Sequence, residues 1–392
     1  TVCLWILIQW SPWAPPELAD PIWASAANSL GEGLRAHLTV NPDATLTGLM
    51  HLLAYASVFW LSFHLTSSPR HAWMAITTLA WMGSIYAIYG IATYVSGNGW
   101  IVIYPKWIYL DSLTSTFVNR NSYATFAGLT LLCAVVVMYR HMAPFLALRH
   151  PVKTKIVLIV EQVFAKASMK TLSILSISIA LFLSTSRGGI MSTTIGLLVL
   201  GTIYGIQKRM KPRQFFSLFA IGIITAILMF SISGNGLSKR LPDSQIELGV
   251  NTRSVTYQKT WNAIMTSPWR GTGFGTFEDV FPAYRNNQDS PLTHWGKAHN
   301  TYLENSLELG LPMAFILNLS IALIGFQCIR GVVLRKRDKL IPALGVGATV
   351  LVGVHSLVDF SLQIPAVAIL YACIMGVATS QSWSQRKTGI RI

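Results

Sequence analysis

Asn251-Thr252-Arg253, Pro268-Trp269-Arg270-Gly271-Thr272-Gly273-Phe274-Gly275 and Lys297-Ala298-His299-Asn300-Thr301-Tyr302-Leu303-Glu304 share one hydrophilic stretch, residues 234–310. The rest of the chain is built from apolar runs, and that contrast decides the fold class. Hydrophobic residues fill 52% of the 392 positions and charged residues only 11%. A soluble core of this size cannot hide so many apolar side chains, so the sequence reads as an all-α polytopic membrane protein. Outward from the loop, runs of about 20 residues suited to a bilayer fall at 46–66, 72–94, 121–139, 171–186, 189–206, 215–233, 311–329, 340–358 and 365–380. Residues 1–10 read as the tail of another, and since the chain starts inside this run without Met, its true N-terminus is expected upstream. The expectation is a single transmembrane domain over 1–392, of about ten or more transmembrane helices, with the partly helical loop 234–310 inserted in it.

The charges set the orientation. The linkers on one side hold 19 basic and two acidic residues, and the alternating set holds the other 11 basic and 13 acidic ones. The positive-inside rule places the first set in the cytoplasm and the long loop outside. The net charge of +15 is therefore a topology signal and gives no argument for nucleic acid. Cys3, Cys133, Cys328 and Cys373 lie in or beside apolar runs without paired spacing, which implies neither a disulfide nor a metal site.

Within the loop, Val255, Tyr257, Trp261, Ile264 and Met265 recur at roughly helical spacing from Asn251, and Pro268 ends the run. Asn300 is placed to cap a second helix that stops or kinks at Gly310 and Pro312. The loop is expected to be an ordered lid on the membrane, its aromatic content arguing against a flexible linker. Gly271, Gly273 and Gly275 read as a tight turn crowded by Phe274 and Phe277. No strand precedes them and no Lys-Ser/Thr follows, so a phosphate loop is the weaker reading.

Three residues stand out chemically. Arg187, in Ser186-Arg187-Gly188-Gly189, sits at the tip of a helical hairpin within 171–206. The bland reading is an interfacial arginine snorkelling at a helix end. The sharper one is an anion site, in which Gly188 removes bulk and a helix N-terminus joins a guanidinium able to grip two oxygens. Arg253 is expected in the first turn of its helix, where a cation opposes the helix dipole unless an anion offsets it. A solvated surface arginine is the alternative. His299 directly precedes its helix, whose positive end favours a neutral imidazole able to accept a proton; a bystander histidine is the alternative. His294 lies nearby, but no carboxylate spacing supports a metal set. His355 and Asp359 sit one turn apart and read either as a proton pair or as a structural hydrogen bond between neighbouring helices.

Together the motifs resemble the O-antigen ligase/polymerase family over roughly residues 110–380. They are Phe117-Val118-Asn119-Arg120-Asn121, Ser184 to Gly189, the turn from Pro268 to Phe277, Ala298 to Glu304 with Glu308-Leu309-Gly310, and His355 to Pro365. The resemblance implies a helical glycosyltransferase of the class C-like type in the bacterial inner membrane, its long loop periplasmic. It implies transfer of a glycan, with inversion and without metal or other cofactor, from an undecaprenyl-diphosphate carrier. The acceptor would be lipid A-core, a growing polysaccharide or a protein hydroxyl, the last making it a protein O-oligosaccharyltransferase. Arg187 and Arg253 match the family's diphosphate-holding arginines and His299 its proposed activator of the acceptor; Gly188, Asn300 and Arg120 are expected to join Arg187 and Arg253 in binding the substrate. Lys297 stands where some members carry a second histidine, and Thr301 where an acidic residue is common, which bears on acceptor identity. Arg187, Arg253 and His299 are expected to converge within roughly 15 Å. A transporter for a small anion or glycan is the rival from another class. It predicts informative polar residues near the bilayer midplane rather than at one face. A non-catalytic assembly partner is a third reading and predicts tolerance of His299→Ala.

Overall fold

The computed structural model describes residues 1–13, 15–147, 168–213, 243–285, 295–335 and 338–383, with positions 154, 157, 160, 161, 216, 217, 220 and 222. The expected span at 215–233, the loop's first residues 234–242 and His294 lie wholly or largely outside the described residues. The helices are α1 (Val2–Trp10), α2 (Pro21–Leu30), α3 (Pro42–Leu65), α4 (Pro69–Val95), α5 (Arg120–Ala147), α6 (Ser168–Leu183) and α7 (Arg187–Gln207). After them come α8 (Asp243–Thr266), α9 (Phe277–Val280), α10 (Thr301–Leu309), α11 (Leu311–Leu334), α12 (Leu340–His355) and α13 (Pro365–Ser380). Between α4 and α5 a two-residue antiparallel pair, β1 (Trp100–Ile101) and β2 (Tyr104–Pro105), sets Trp100 opposite Pro105 and Ile101 opposite Tyr104.

Every expected span within the described residues coincides with a helix, but their lengths differ. Among the described residues five helices are long and apolar enough to cross a membrane: α3, α4, α5 (through Phe145), α7 and α11. Helices α6, α12 and α13 have 16 residues each and α1 has nine. The most apolar window of α5 is 83% buried, whereas that of α3 is 6% buried. Thus α5 is a core helix, while most of the apolar surface of α3 is left for lipid, the one solvent in which exposing it costs nothing.

The chain divides into two compact units. The first comprises residues 1–57, 238–323 and 356–365. Its core is Ala263 and Ile264 of α8, Phe277 and Phe281, Ala298, and Leu307 of α10, with Trp295, Leu303 and Leu311 packed against them. A second cluster joins Ile6, Leu49, Leu309 and Ala314. Burying each of the larger apolar side chains among them, the leucines, isoleucines and phenylalanines, contributes about 1.5–3 kcal/mol, which favours order in this long polar stretch.

The second unit comprises residues 58–237, 324–355 and 366–392. Here α5 packs against α4, α6, α7 and α12, and α7 lies along α12. Small residues permit this closeness: Gly83 faces Thr130, Gly128 faces Thr193, and a Cβ on Gly196 would lie 3.1 Å from the Gly347 carbonyl oxygen. Serine contacts add polar links, with Ser84 Oγ 3.0 Å from Ser176 Oγ and Ser173 Oγ donating to the Ala80 carbonyl at 3.2 Å. Close backbones and buried hydroxyls are the usual cement between helices in hydrocarbon, where apolar contact alone discriminates little.

Candidate active site

The first unit carries His299, Arg253 and Asn300. Helix α10 starts where the sequence places it: Asn300 Oδ1 accepts from the amides of Tyr302 and Leu303, each at 3.0 Å. Its first turn is also tied to the segment before α13. Asn300 Nδ2 donates to the Leu357 carbonyl at 3.0 Å, Thr301 N to the Ser356 carbonyl at 3.0 Å, and Thr301 Oγ1 to the Asp359 carbonyl at 3.0 Å. These bonds place His299, whose backbone is left-handed at φ 53°, an uncommon state for a residue with a side chain. Tyr257 Oη of α8 donates to the His299 carbonyl at 2.8 Å and fixes the turn from the other side.

The imidazole has aromatic walls, Trp295 at 5.3 Å and Phe360 at 4.8 Å between ring centroids, both edge-on. Its Nδ1 is buried and lies 3.8 Å from Asp359 Oδ1. Burial first, and the Arg253 charge second, push the His299 pKa down from 6.5 to about 4. At 3.8 Å Asp359 is beyond hydrogen-bond reach, and its carboxylate already accepts from Phe360 N at 2.7 Å. It therefore does not reverse the shift. The imidazole is neutral at pH 7, as expected, but its surroundings outweigh the helix dipole in making it so.

Arg253 is corrected in one respect. Helix α8 begins at Asp243, so Arg253 lies ten residues in and not in the first turn. The clash with the helix dipole vanishes, because that field fades within one turn. The boundary was misplaced because Gly249 and the polar run through Thr252 imitate a helix start. A different observation marks Arg253. It is half-buried, its charge acts on both His299 and Tyr257, and no carboxylate pairs with it among the described residues.

The glycine turn closes the far end of α10. Thr272 N and Gly273 N donate to the carbonyls of Leu307 and Glu308, each at 3.0 Å, and Leu311 N donates to the Pro268 carbonyl at 2.8 Å. Gln9 Nε2 adds bonds to Glu308 (2.8 Å) and Arg270 (2.9 Å) carbonyls, and Trp5 Nε1 one to Leu309 (3.0 Å). The turn thus does the work of a helix C-cap, consistent with its reading as a structural turn. Gly271 has φ 68°, and a Cβ there would strike the Glu308 backbone. Below it, Glu304 Oε1 accepts from Lys297 Nζ at 3.0 Å and Oε2 from Ala298 N at 2.8 Å. Lys297 therefore has a partner of its own. Glu308 Oε1 accepts from Phe277 N at 3.1 Å, and burial with the nearby Glu304 pushes the Glu308 pKa up to about 7.

The second unit carries Arg187, Gly188 and Arg120. Ser186 caps α7 by accepting from Gly189 N at 3.2 Å, so Arg187 is the first helical residue and Gly188 the next. Both are half-buried. A Cβ on Gly189 would collide with Ala124 of α5, which shows why that position is bare. Arg120 Nη1 reaches Thr185 Oγ1 at 3.0 Å and Ser112 Oγ at 3.3 Å. His355 takes the structural alternative offered above, its Nδ1 lying 2.5 Å from Thr125 Oγ1 on α5.

The structure thus gathers His299, Arg253 and Asn300 in one unit and Arg187, Gly188 and Arg120 in the other. The sequence reading missed Tyr257, Trp295 and Phe360 around His299 and set Asp359 beside His355 instead of His299. The order Asp359-Phe360-Ser361 after a helix end was the available signal, but nothing local ties it to a histidine 60 positions earlier. No curated protein matches the chain significantly. Residues 172–319 match the family model described as O-antigen ligase, a stretch that includes Arg187, Arg253 and His299. That match supports a likeness to the O-antigen ligase family over this part of the chain.

Proposed function

We propose that this protein transfers a glycan from an undecaprenyl-diphosphate-linked donor to an acceptor hydroxyl at the periplasmic face of the bacterial inner membrane. In this reading the chain is one transmembrane domain of about ten helices, with the loop 234–310 facing the periplasm. The observation that carries it is the His299 setting: a neutral, mostly buried imidazole beside Arg253, with which no carboxylate among the described residues pairs, within the O-antigen ligase match.

The reaction needs little from the protein. The acceptor oxygen attacks the anomeric carbon while the bond from that carbon to the diphosphate oxygen breaks. The bonding pair leaves with the undecaprenyl diphosphate, and inversion follows from single in-line displacement. With Nδ1–H turned toward Asp359, Nε2 presents its lone pair and takes the hydroxyl proton, a bond that tightens once substrate binds. Arg253 and Arg187 hold the diphosphate, and Gly188 and Asn300 shape its surroundings. Stabilising the developing charge with one such contact is worth about 3 kcal/mol, on the order of a hundredfold in rate. A diphosphate is already a good leaving group, so the chemistry requires no Lewis acid. Gel analysis of surface glycans from a deletion host separates the acceptors. Full-length carrier-linked polymer left unattached means lipid A-core, single repeat units mean polymerisation, and altered secreted protein means protein glycosylation. The reading itself is tested with purified protein in nanodiscs: Arg187→Ala combined with Arg253→Ala should lower transfer by at least a hundredfold, and undiminished turnover refutes it.

A further inference from the structure

The turn that carries Arg187 is held from outside its own hairpin. Arg120 and Asn121 open α5, and each reaches one residue of that turn. Arg120 Nη1 donates to Thr185 Oγ1 and Ser112 Oγ, while its guanidinium lies 5.1 Å from the Tyr109 ring centre. Ser186 Oγ donates to Asn121 Oδ1 at 2.8 Å while accepting from Gly189 N, so the cap of α7 is itself anchored to α5. Ser112 Oγ lies 2.8 Å from Thr185 Oγ1, and Leu113 N donates to the Leu183 carbonyl at 2.9 Å.

Behind Ser112 stands a second layer. Lys106 is buried, and its Nζ donates to the Ser112 carbonyl at 2.7 Å and to Asn98 Oδ1 at 2.9 Å. Asn98 Nδ2 in turn donates to the carbonyls of Leu110 at 2.6 Å and Ser112 at 2.9 Å. The segment between α4 and α5 is thus knitted into a stiff brace. Thr185 has φ 53°, a left-handed backbone that a β-branched residue adopts only when its surroundings impose it.

We propose that Arg120 and Asn121 are positioning residues that latch Thr185 and Ser186, so that Arg187, the next residue, is aimed at the donor diphosphate. Arg120 then acts through Thr185 and is not itself a phosphate ligand, which changes the substrate-binding part its motif suggested. The proposal rests on the assignment of Arg187 made above.

Hydrogen–deuterium exchange on the full-length protein in nanodiscs reads the latch without any transfer reaction. Arg120→Gln and Thr185→Val, the latter removing one hydroxyl at nearly constant volume, should each speed exchange of the 184–189 amides about tenfold. Thr185→Ser should restore wild-type exchange. With an undecaprenyl-diphosphate-linked oligosaccharide as donor, both variants should raise the donor KM about tenfold with a smaller change in kcat. In an Arg187→Ala background Arg120→Gln should cost nothing further, because the residue it places is gone. Unchanged exchange overturns the latch. A loss that persists in full beside Arg187→Ala also overturns it, since Arg120 would then touch the donor or serve the fold alone. Wild-type transfer by Arg187→Ala by itself would instead sink the functional assignment of Arg187, leaving the exchange data to judge the latch.

Discussion

The His299 environment makes a quantitative statement about pH. A histidine with pKa 4 is about 97% neutral at pH 5.5, whereas one at 6.5 is about 9% neutral, a roughly tenfold difference in available base. Donor turnover under kcat/KM conditions should therefore stay nearly flat from pH 7.5 to 5.5 and fall only toward pH 4. Arg253→Gln removes the smaller of the two causes of the shift. Because burial is the larger one, the acid limb should move up by no more than half the displacement from 6.5 to 4, about 1.2 units. The variant should also lose rate at pH 7.5, where His299 is neutral in both proteins, by roughly a hundredfold if Arg253 grips the diphosphate. The assay is transfer from a lipid-linked oligosaccharide in nanodiscs, with single-turnover controls to keep chemistry rate-limiting. A wild-type acid limb at pH 6.5 would refute the reasoning, as would an Arg253→Gln profile displaced downward.

Other expectations concern the support of the site. Gly271→Ala puts a methyl against the Glu308 backbone at φ 68° and should destabilise the first unit by ~2–4 kcal/mol, read as a fall in thermal midpoint. Glu304→Ala strips Lys297 of its partner and Ala298 N of its acceptor and should cost about 3 kcal/mol, with Glu304→Gln recovering part by still accepting from Ala298 N. Glu308→Gln should act with a definite pH sign. The folded pKa of about 7 lies above the ordinary 4.5, so the stability from the neutral acid is present below 4.5 and lost as pH rises through 7. The variant should therefore gain thermal midpoint relative to wild type at pH 8 more than at pH 5, and the reverse order would refute the assignment.

Much of this was legible in the sequence because hydrophobic runs and caps are local signals. Asn300 announced α10 through its position before Thr301, and Ser186-Arg187-Gly188-Gly189 announced the α6–α7 hairpin tip. The start of α8 was not legible, since Gly249 and the polar residues after it hide eight helical residues. Nor was the end of α12, which stops at His355 although its apolar run continues to residue 358. Lys297 looked like a departure from a pattern, and only the fold shows Glu304 one helical turn inside as its partner. The enclosure of His299 was invisible for a similar reason. Tyr257, Trp295 and Phe360 come from three separate segments, and pairing across such distances leaves no trace in spacing.

The ties from Gln9 and Trp5 to the end of α10 set a timetable for biogenesis. Gln9 emerges 299 residues before Glu308, the residue whose carbonyl it caps. At ~5–20 residues per second of translation, its amide waits roughly 15–60 s for that partner. The first unit also needs residues 356–365, so His299 receives its full surroundings only once those residues have been made. Until then His299 is an ordinary histidine, and under the proposed function a partly made chain at the translocon has no organised site with which to discharge a carrier lipid.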